Sequence, residues 1–168
     1  MKESLVAAIN KQINAELYSS YLYLAMSADL EEKSLKGMAS WMQIQVQEEA
    51  SHAMKFYHYL QERGARIELQ AIDAPQTTWP SVQAIFDATC EHEAVVTGLI
   101  NDLVDLAIAE RDHAAAAFLQ WFVTEQVEEE ASAKEIADQL RLAGDHAGAL
   151  FMMDRELGTR TFTPPAAE

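Results

Sequence analysis

The chain has 168 residues, of which 49% are hydrophobic, with six glycines and four prolines. This length and composition suit one domain with a substantial core and exclude an intrinsically disordered chain. The formal net charge is −15, from 27 acidic and 12 basic residues, so the chain would repel nucleic acid and attract cations. The single cysteine, Cys90, excludes an intrachain disulfide framework and a CxxC metal site.

The chain lacks the apolar runs that mark membrane or secreted proteins. No apolar run is long enough to span a bilayer. Polar residues interrupt the N-terminal stretch where a signal peptide would be apolar, at Asn10, Lys11, Gln12 and Asn14. We therefore expect a cytoplasmic protein with no membrane partner.

Apolar residues recur at helical spacing in four long segments. The first two run from about residue 3 to 31 and from about 35 to 63, and a short polar connection makes them an antiparallel pair. The next two run from about residue 81 to 108 and from about 112 to 142, with a short turn between them. Gly64 and Gly144 follow the second and fourth segments as helix caps.

The connection between the second and third segments is long. Residues 65–80 contain Pro75 and Pro80 and cannot form a continuous helix. Extended, this stretch reaches roughly 50 Å, whereas a helix of about 28 residues is about 42 Å long. The connection can therefore carry the chain back along the bundle and leave the two segments parallel. The alternative is a domain boundary, which would leave two lone hairpins with charges on their apolar seams.

Residues 147–157 predict a short fifth helix, which is too short to join the bundle along its length. Its apolar residues favour burial against other subunits, and a helix folded back on its own bundle is the alternative. These residues are Leu150, Phe151, Met153 and Leu157. The expected organisation is a single domain, with a four-helix bundle at 1–145, the fifth helix at 146–160 and a flexible tail at 161–168, which includes Pro164 and Pro165.

Each of the four long segments has a glutamate on its apolar track near its midpoint: Glu16, Glu49, Glu93 and Glu129. Midpoints meet at one depth in a bundle, whichever way each helix runs. Four carboxylates at one level of a core would be very costly without cations. For Glu16 alone, a charge that reaches water at the edge of the stripe remains the alternative.

The second segment also carries a histidine beside its glutamate. Glu49 and His52 are three residues apart and therefore share one helical face. Alone, this motif fits a metal ligand and a hydrogen-bonded core histidine equally. Carboxylates with one imidazole suit iron or manganese and can bridge two ions, and bundles with two iron ions use glutamates and ExxH motifs of this kind.

Three residues near these glutamates receive other assignments. His92, next to Glu93, points elsewhere and is expected in solvent. Cys90, one turn from Glu93, is assigned to the core rather than to a metal. Glu130, in the dense acidic run of the fourth segment, is expected on a solvated face.

Four stretches of the sequence resemble the ferritin family, specifically the bacterial and archaeal non-haem ferritins. They read NAELYS at 14–19, QEEASH at 47–52, EHE at 91–93 and FLQWFVTEQVEEE at 118–130. The resemblance covers nearly the whole chain. It implies an all-α fold, a ferritin-like four-helix bundle with a long crossover between helices 2 and 3 and a short fifth C-terminal helix.

The resemblance also implies a ferroxidase centre. Glu16, Glu49 and His52 would hold one iron, and Glu49 would bridge to a second iron that Glu93 and Glu129 also hold. Further residues match family positions around these two ions: Gln126, which could hydrogen-bond an oxygen species; Tyr23 and Trp121, which adjoin the centre; and Glu48, Glu125, Glu128 and Glu129, which match a third iron position.

The function implied is iron storage. Two ferrous ions would be oxidised by dioxygen or peroxide, and the ferric product would mineralise inside a hollow homo-oligomeric shell of 24 subunits. The fifth helix fits a role in closing that shell. Haem is not expected, because Ala50 and Ser132 stand where a bacterioferritin has a haem-ligating Met and a further His.

Two other classes of function remain open. A purely structural bundle would bind no metal. A di-metal oxygenase or peroxidase would need a substrate pocket beside the metals, and the bulky side chains of Tyr23, Phe56 and Phe122 on the seams argue against one.

Overall fold

The computed structural model describes residues 1–163, and these form five α-helices and no strand. The helices are α1 Glu3–Glu32, α2 Lys36–Glu62, α3 Val82–Ala109, α4 His113–Ala143 and α5 Ala147–Leu157. The predicted all-α class and all five helices are confirmed, with boundaries within two residues of those predicted. Residues 164–168, which include the two prolines of the expected tail, lie outside the described residues.

Tight reversals make α1 and α2, and likewise α3 and α4, antiparallel hairpins. Ser34 and Arg111 adopt left-handed backbone conformations, with φ of 64° and 58°. In the first turn the amide of Leu35 donates to the carbonyl of Leu30, and this hydrogen bond closes a loop of six residues around the reversal. This is the helix-ending motif that glycine usually supplies, so both turns reverse the chain without a glycine.

Contacts between α1 and α3 establish how the two hairpins pair. Ser4, at the start of α1, donates to Glu110 just after α3, and Tyr23 in α1 donates to Glu93 in α3. Rising residue numbers in α1 therefore meet falling numbers in α3. The two helices are antiparallel.

The α2 and α4 helices pair in the same antiparallel sense. Arg63 contacts Asp112 at one end, at 2.8 Å, and Gln45 contacts Glu129 near the middle, at 2.8 Å. Because α1 is antiparallel to both α2 and α3, the latter two run parallel. The predicted crossover is thereby confirmed.

The crossover runs along α1 and is tied to it by polar side chains, of which Asn10 and Asp29 are buried. Asn10 accepts from the amide of Glu68 at 2.7 Å, Asn14 donates to the carbonyl of Ala71 at 3.0 Å, and further along Asp29 accepts from the amide of Trp79 at 3.1 Å. These bonds satisfy backbone groups of a segment that has no secondary structure of its own. The connection therefore has a defined path.

The bundle interior consists of two apolar clusters with a polar layer between them. One cluster includes Met26, Met42 and Phe86, and the other includes Ile9 and Phe122. In every long helix, a buried glutamate falls between the stretches that supply the two clusters. The polar layer lies at mid-height, where the sequence predicted that the glutamates would meet.

The fifth helix docks on the start of α2. Its Asp154 accepts a hydrogen bond of 2.9 Å from the amide of Met38 and so caps α2, whose own N-cap residue makes no side-chain cap bond. At Gly37 a Cβ atom would lie 1.6 Å from the carbonyl oxygen of Asp154. Only glycine permits this approach.

One face of α5 covers its own bundle and the other faces outward. Leu150, Met153 and Leu157 pack against the bundle core. For these three residues the expected burial against other subunits is wrong, because docking on α2 turns them inward. Phe151 and Met152 are 61% and 72% exposed. Within residues 1–163, no helix combines the length and apolar character needed to cross a bilayer.

Candidate metal centre

One glutamate from each long helix lies in the polar layer, almost completely buried. Glu16 and Glu93 are 1% exposed, Glu49 is 2% and Glu129 is 5%. The alternative in which Glu16 reaches water is therefore excluded. Burial of four carboxylates at one level is expensive unless they are neutral or bound to cations.

Glu16, Glu49 and His52 form a compact group. One ligand atom from each lies within 4.8 Å of the others. The Nδ1 atom of His52 lies 3.5 Å from Oε2 of Glu49, and the histidine side chain is 3% exposed. The i, i+3 spacing on α2 positions the latter two, and the pairing of α1 with α2 brings Glu16 to them.

Two carboxylate oxygens of this group have no donor among the described residues. They are Oε2 of Glu16 and Oε2 of Glu49, both buried. A buried acceptor without a partner costs about 1–3 kcal/mol. Two such oxygens beside an imidazole nitrogen form a donor set that suits a divalent cation such as Fe(II), which imidazole and carboxylate both bind.

Glu93 is held by two neighbours. The Tyr23 hydroxyl donates to its Oε1 atom, and Nε2 of Gln126 donates to its Oε2 atom at 3.1 Å. Gln126 also contacts Thr97 Oγ1 at 3.2 Å. These two donors therefore fix the orientation of the Glu93 carboxylate.

Two glutamines that the sequence reasoning missed hold two of the other carboxylates, those of Glu16 and Glu129. Gln12 donates to Oε1 of Glu16 at 2.9 Å, and Gln45 donates to Oε2 of Glu129 at 2.8 Å. They are 3% and 1% exposed. A signal existed in the sequence, because each glutamine stands four residues before a layer glutamate, Glu16 or Glu49, and so shares its helical face.

Burial and mutual repulsion shift the acidity of the whole layer. Burial, followed by repulsion from neighbouring carboxylates, raises the pKa of Glu16 and Glu49 well above the usual value. Burial also raises the pKa of Glu93, and burial with repulsion from Glu93 raises the pKa of Glu129 to about 7. In the absence of cations, the layer therefore retains protons near neutral pH.

A second group extends from the layer toward the α2 and α4 surface. Ligand atoms of His52, Glu125 and Glu129 lie within 4.8 Å of one another. Glu48 is half-buried and forms an ion pair of 2.7 Å with Arg160, whereas Glu128 is exposed and lies outside both groups. Burial raises the pKa of Glu48, and Arg160 partly offsets this. Of the four residues expected at the third position, the structure gathers Glu125 and Glu129.

Aromatic rings enclose His52. The rings of Trp121 and Phe122 meet it edge-on, with centroids 5.4 Å and 6.0 Å away, and Phe56 stacks on Phe122 at 4.0 Å. Trp121, which was expected close to the centre, lies against His52. These rings fill the bundle beside the imidazole.

His92 is not in solvent, so that expectation is wrong. Its Nε2 atom lies 2.7 Å from Oγ of Ser19, and its ring meets the rings of Tyr18 and Tyr23 at 6.0 Å and 5.8 Å. Burial lowers the pKa of His92 to about 4. The sequence placed it in solvent because His92 is next to Glu93 and so points away from the apolar seam. In the structure α1 covers that side of α3 as well.

The assignments of Cys90 and Glu130 agree with the structure. Cys90 is a half-buried free thiol that packs against the core, and it belongs to neither metal-capable group of the described residues. Glu130 is exposed and accepts from the hydroxyl of Thr97.

Comparison with known proteins gives the family. The family model of the ferritin-like domain matches residues 6–143. A bacterial non-heme ferritin of Bacteroides fragilis is 44% identical over 160 residues, which cover 95% of this chain and 99% of that protein. An engineered closed form of the Archaeoglobus fulgidus ferritin superposes with a TM-score of 0.96 at 49% identity, covering 97% of this chain and 99% of that one. A humanized archaeal ferritin superposes with a TM-score of 0.97 at 50% identity, covering 98% and 99%. With four buried glutamates in a crossover bundle and matches along nearly its whole length, this chain belongs to the ferritin family.

Proposed function

We propose that this protein is an iron-storage ferritin that oxidises Fe(II) with dioxygen at a two-iron centre inside the bundle. The observation that carries the proposal is the pair of buried carboxylate oxygens without donors, on Glu16 and Glu49, which lie within reach of the His52 imidazole. A structural bundle would have no reason to bury them unpaired.

Iron is the substrate of this centre. Glu16, Glu49 and His52 are the proposed ligands of the first ion, and Glu49 also bridges to a second ion held by Glu93 and Glu129. A carboxylate has two oxygens and can therefore offer one to each iron ion, which is the usual role of glutamate in bundles that hold two iron ions.

The raised pKa values give the layer a second role. When Fe(II) binds, the protonated carboxylates lose their protons, because the cation replaces the proton as the compensating charge. Two Fe(II) ions held together supply two electrons at once. With two protons added, one dioxygen is reduced to hydrogen peroxide and two Fe(III) ions result.

Tyr23 and Gln126 position the second ion through Glu93, to which both donate. Burial and the neighbouring Glu93 raise the pKa of Tyr23 well above its usual value, so its hydroxyl stays protonated and remains a donor. The amide of Gln126 lies beside the same carboxylate.

The outer group is the proposed route of the ferric product. One ligand atom each of His52, Glu125 and Glu129 lies within 4.8 Å of the others. Glu48 is close enough to interact with the charges of His52 and Glu125, and Glu128 is exposed next to Glu129 on α4. We propose that this third position passes Fe(III) to the interior of a homo-oligomeric shell, expected to have 24 subunits, where it is stored as a hydrated oxide mineral.

The test is aerobic oxidation of Fe(II) by metal-free protein, followed by the near-ultraviolet absorbance of Fe(III). Replacing Glu49 or His52 by alanine should slow oxidation by at least about tenfold. Glu62→Ala, an exposed position on the same helix, is the matched control and should leave the rate unchanged. Wild-type rates in both site variants would reject the centre.

A second measurement tests storage. The native particle should have the mass of a closed shell, and electron micrographs after iron loading should contain an electron-dense core. A monomeric or dimeric species that precipitates iron in bulk solution would contradict storage.

A further inference from the structure

A positive side chain from beyond α5 reaches Glu48, which lies beside the outer group. The Nη2 atom of Arg160 lies 2.7 Å from Oε2 of Glu48, and its Nη1 atom donates to Oε1 of Gln45. The guanidinium also stacks over Trp41, 4.8 Å from the ring centroid. Three contacts of different kinds therefore hold one arginine against α2.

The amide of Gln45 extends the influence of Arg160 into the polar layer. Its oxygen accepts from Arg160, which leaves its Nε2 group to donate to Glu129 at 2.8 Å. Gln45 is 1% exposed, so water does not offer an alternative partner. The amide can satisfy an arginine on one side and a carboxylate on the other in only this orientation.

The position of Arg160 is built into the fold. Asp154 is held by the amide of Met38, and a Cβ atom at Gly158 would lie 3.0 Å from the Cα atom of Gly37. The chain therefore leaves α5 in close contact with the start of α2. Arg160, two residues after Gly158, is placed beside α2 by this contact.

We propose that Arg160 is an internal counter-ion at the edge of the outer metal position, paired directly with Glu48 and linked through Gln45 to Glu129. This rests on the proposed function, since the outer position is taken to receive iron from the two-iron centre. Arg160 is a positioning residue, because it acts through the carboxylates and not on iron itself.

The consequence is that the outer position binds a cation weakly. A cation that binds Glu48 must displace the guanidinium of Arg160. Once bound, the cation is repelled by the nearby guanidinium, because like charges repel strongly in a partly buried site. Iron would then pass through the outer position to the mineral and not accumulate there.

The test uses Zn(II), which binds the same ligand types and cannot be oxidised. Crystals of metal-free wild type, Arg160→Gln and Arg155→Gln are soaked in a series of Zn(II) concentrations, and anomalous scattering gives the occupancy at the inner and outer positions separately. Arg155 is exposed on α5, so its variant makes the same change of charge away from the site.

Removal of Arg160 should lower the Zn(II) concentration for half-occupancy of the outer position by about fivefold or more. The inner position at Glu16, Glu49 and His52 should keep its affinity, and Arg155→Gln should match the wild type at both positions. Arg160→Lys, which retains the charge without the paired donors, should fall between the wild type and Arg160→Gln.

A double-mutant cycle separates this effect from loosening of the C-terminal segment. If Arg160 acts mainly through Glu48, then Arg160→Gln should tighten the outer position less in a Glu48→Gln background than in the wild type, and the remaining gain is the part that passes through Gln45. An equal gain with and without Glu48 would overturn the proposal. So would an unchanged outer occupancy, or no outer zinc in any variant.

These outcomes are distinguishable from failure of the proposed function. Zinc at the inner position of every variant, with no response to Arg160 at the outer one, would overturn the role of Arg160 alone. Zinc at neither position of the wild type would reject the metal centre, and the role of Arg160 with it.

Discussion

Gln45 on α2 and Glu129 on α4 are joined across the bundle by a hydrogen bond of 2.8 Å between two nearly buried side chains. The bond holds one oxygen of a carboxylate whose pKa is raised to about 7. This hydrogen bond lies between the candidate iron centre and Arg160, which also contacts Gln45. The first prediction therefore concerns this glutamine.

Replacing Gln45 by methionine should slow Fe(II) oxidation by about tenfold, because Glu129 loses the donor that orients it. The side chain keeps a similar volume, so the bundle should remain folded. Stopped-flow oxidation measures the effect. Gln47→Met, an exposed change two residues away, should leave the rate as it is, and equal rates for the two variants would exclude an orienting role.

Gly37→Ala should destabilise the docking of α5, since the added methyl group would overlap the backbone of Asp154. We expect a loss of about 1–3 kcal/mol in the free energy of unfolding. Urea denaturation measures the loss, and hydrogen exchange of the α5 amides locates it.

The control for that variant is Gly98→Ala. Gly98 is an exposed helical glycine, and an added Cβ atom would meet nothing within 4 Å. This substitution should stabilise α3 by up to about 1 kcal/mol. If both alanine variants changed stability in the same direction, the contact between Gly37 and Asp154 would not restrict this position.

The metal-free protein should become less stable as the pH rises from about 4.5 to about 7. Glu129 has its pKa raised from 4.5 to about 7 in the folded protein, so the folded state holds a proton that the unfolded state has released. A raised pKa stabilises the fold fully below the unfolded value, and that contribution is lost as the pH passes through the folded value.

Urea denaturation of metal-free protein across this pH range measures the loss. Glu129→Gln, which cannot ionise, should have a flatter dependence than the wild type. Saturation with Zn(II) should raise stability most at the upper end of the range, where the carboxylates are charged. A wild-type stability that rises through this range would contradict retained protons in the layer.

Metal binding should release protons. At pH 6 the carboxylates of the layer still hold protons, because burial and mutual repulsion raise the pKa values of Glu16, Glu49 and Glu129. Anaerobic calorimetric titration with Zn(II) in buffers of different ionisation enthalpy counts the protons released. More protons should appear at pH 6 than at pH 8, and Glu129→Gln should reduce the difference. The same count at both pH values would mean that the layer is already ionised before metal binds.

The positions of the four glutamates were predictable because two regularities combine. The helical period places Glu16, Glu49, Glu93 and Glu129 on apolar faces, and the antiparallel and crossover connections bring the midpoints of the helices to one level. The prediction of His52 beside Glu49 rests on the i, i+3 spacing alone. None of these inferences requires knowledge of which side chains touch.

His92 shows where that reasoning stops. The direction of its side chain follows from its place on α3, but its surroundings depend on which helix covers that side. Because α1 packs there and supplies Ser19, Tyr18 and Tyr23, a residue expected in water is half-buried and neutral.

The sequence by itself determined the helices, their connections and the depth at which the acidic side chains meet, because each of these follows from local spacing and chain length. Only the tertiary structure decided the donors around that layer, the inward face of α5 and the position of Arg160 against Glu48, which is 112 residues away in the chain. The physical reason is that these contacts depend on which helices pack against one another, as in the close approach of α5 to α2 at Gly37. No periodic pattern encodes the meeting of two helix ends.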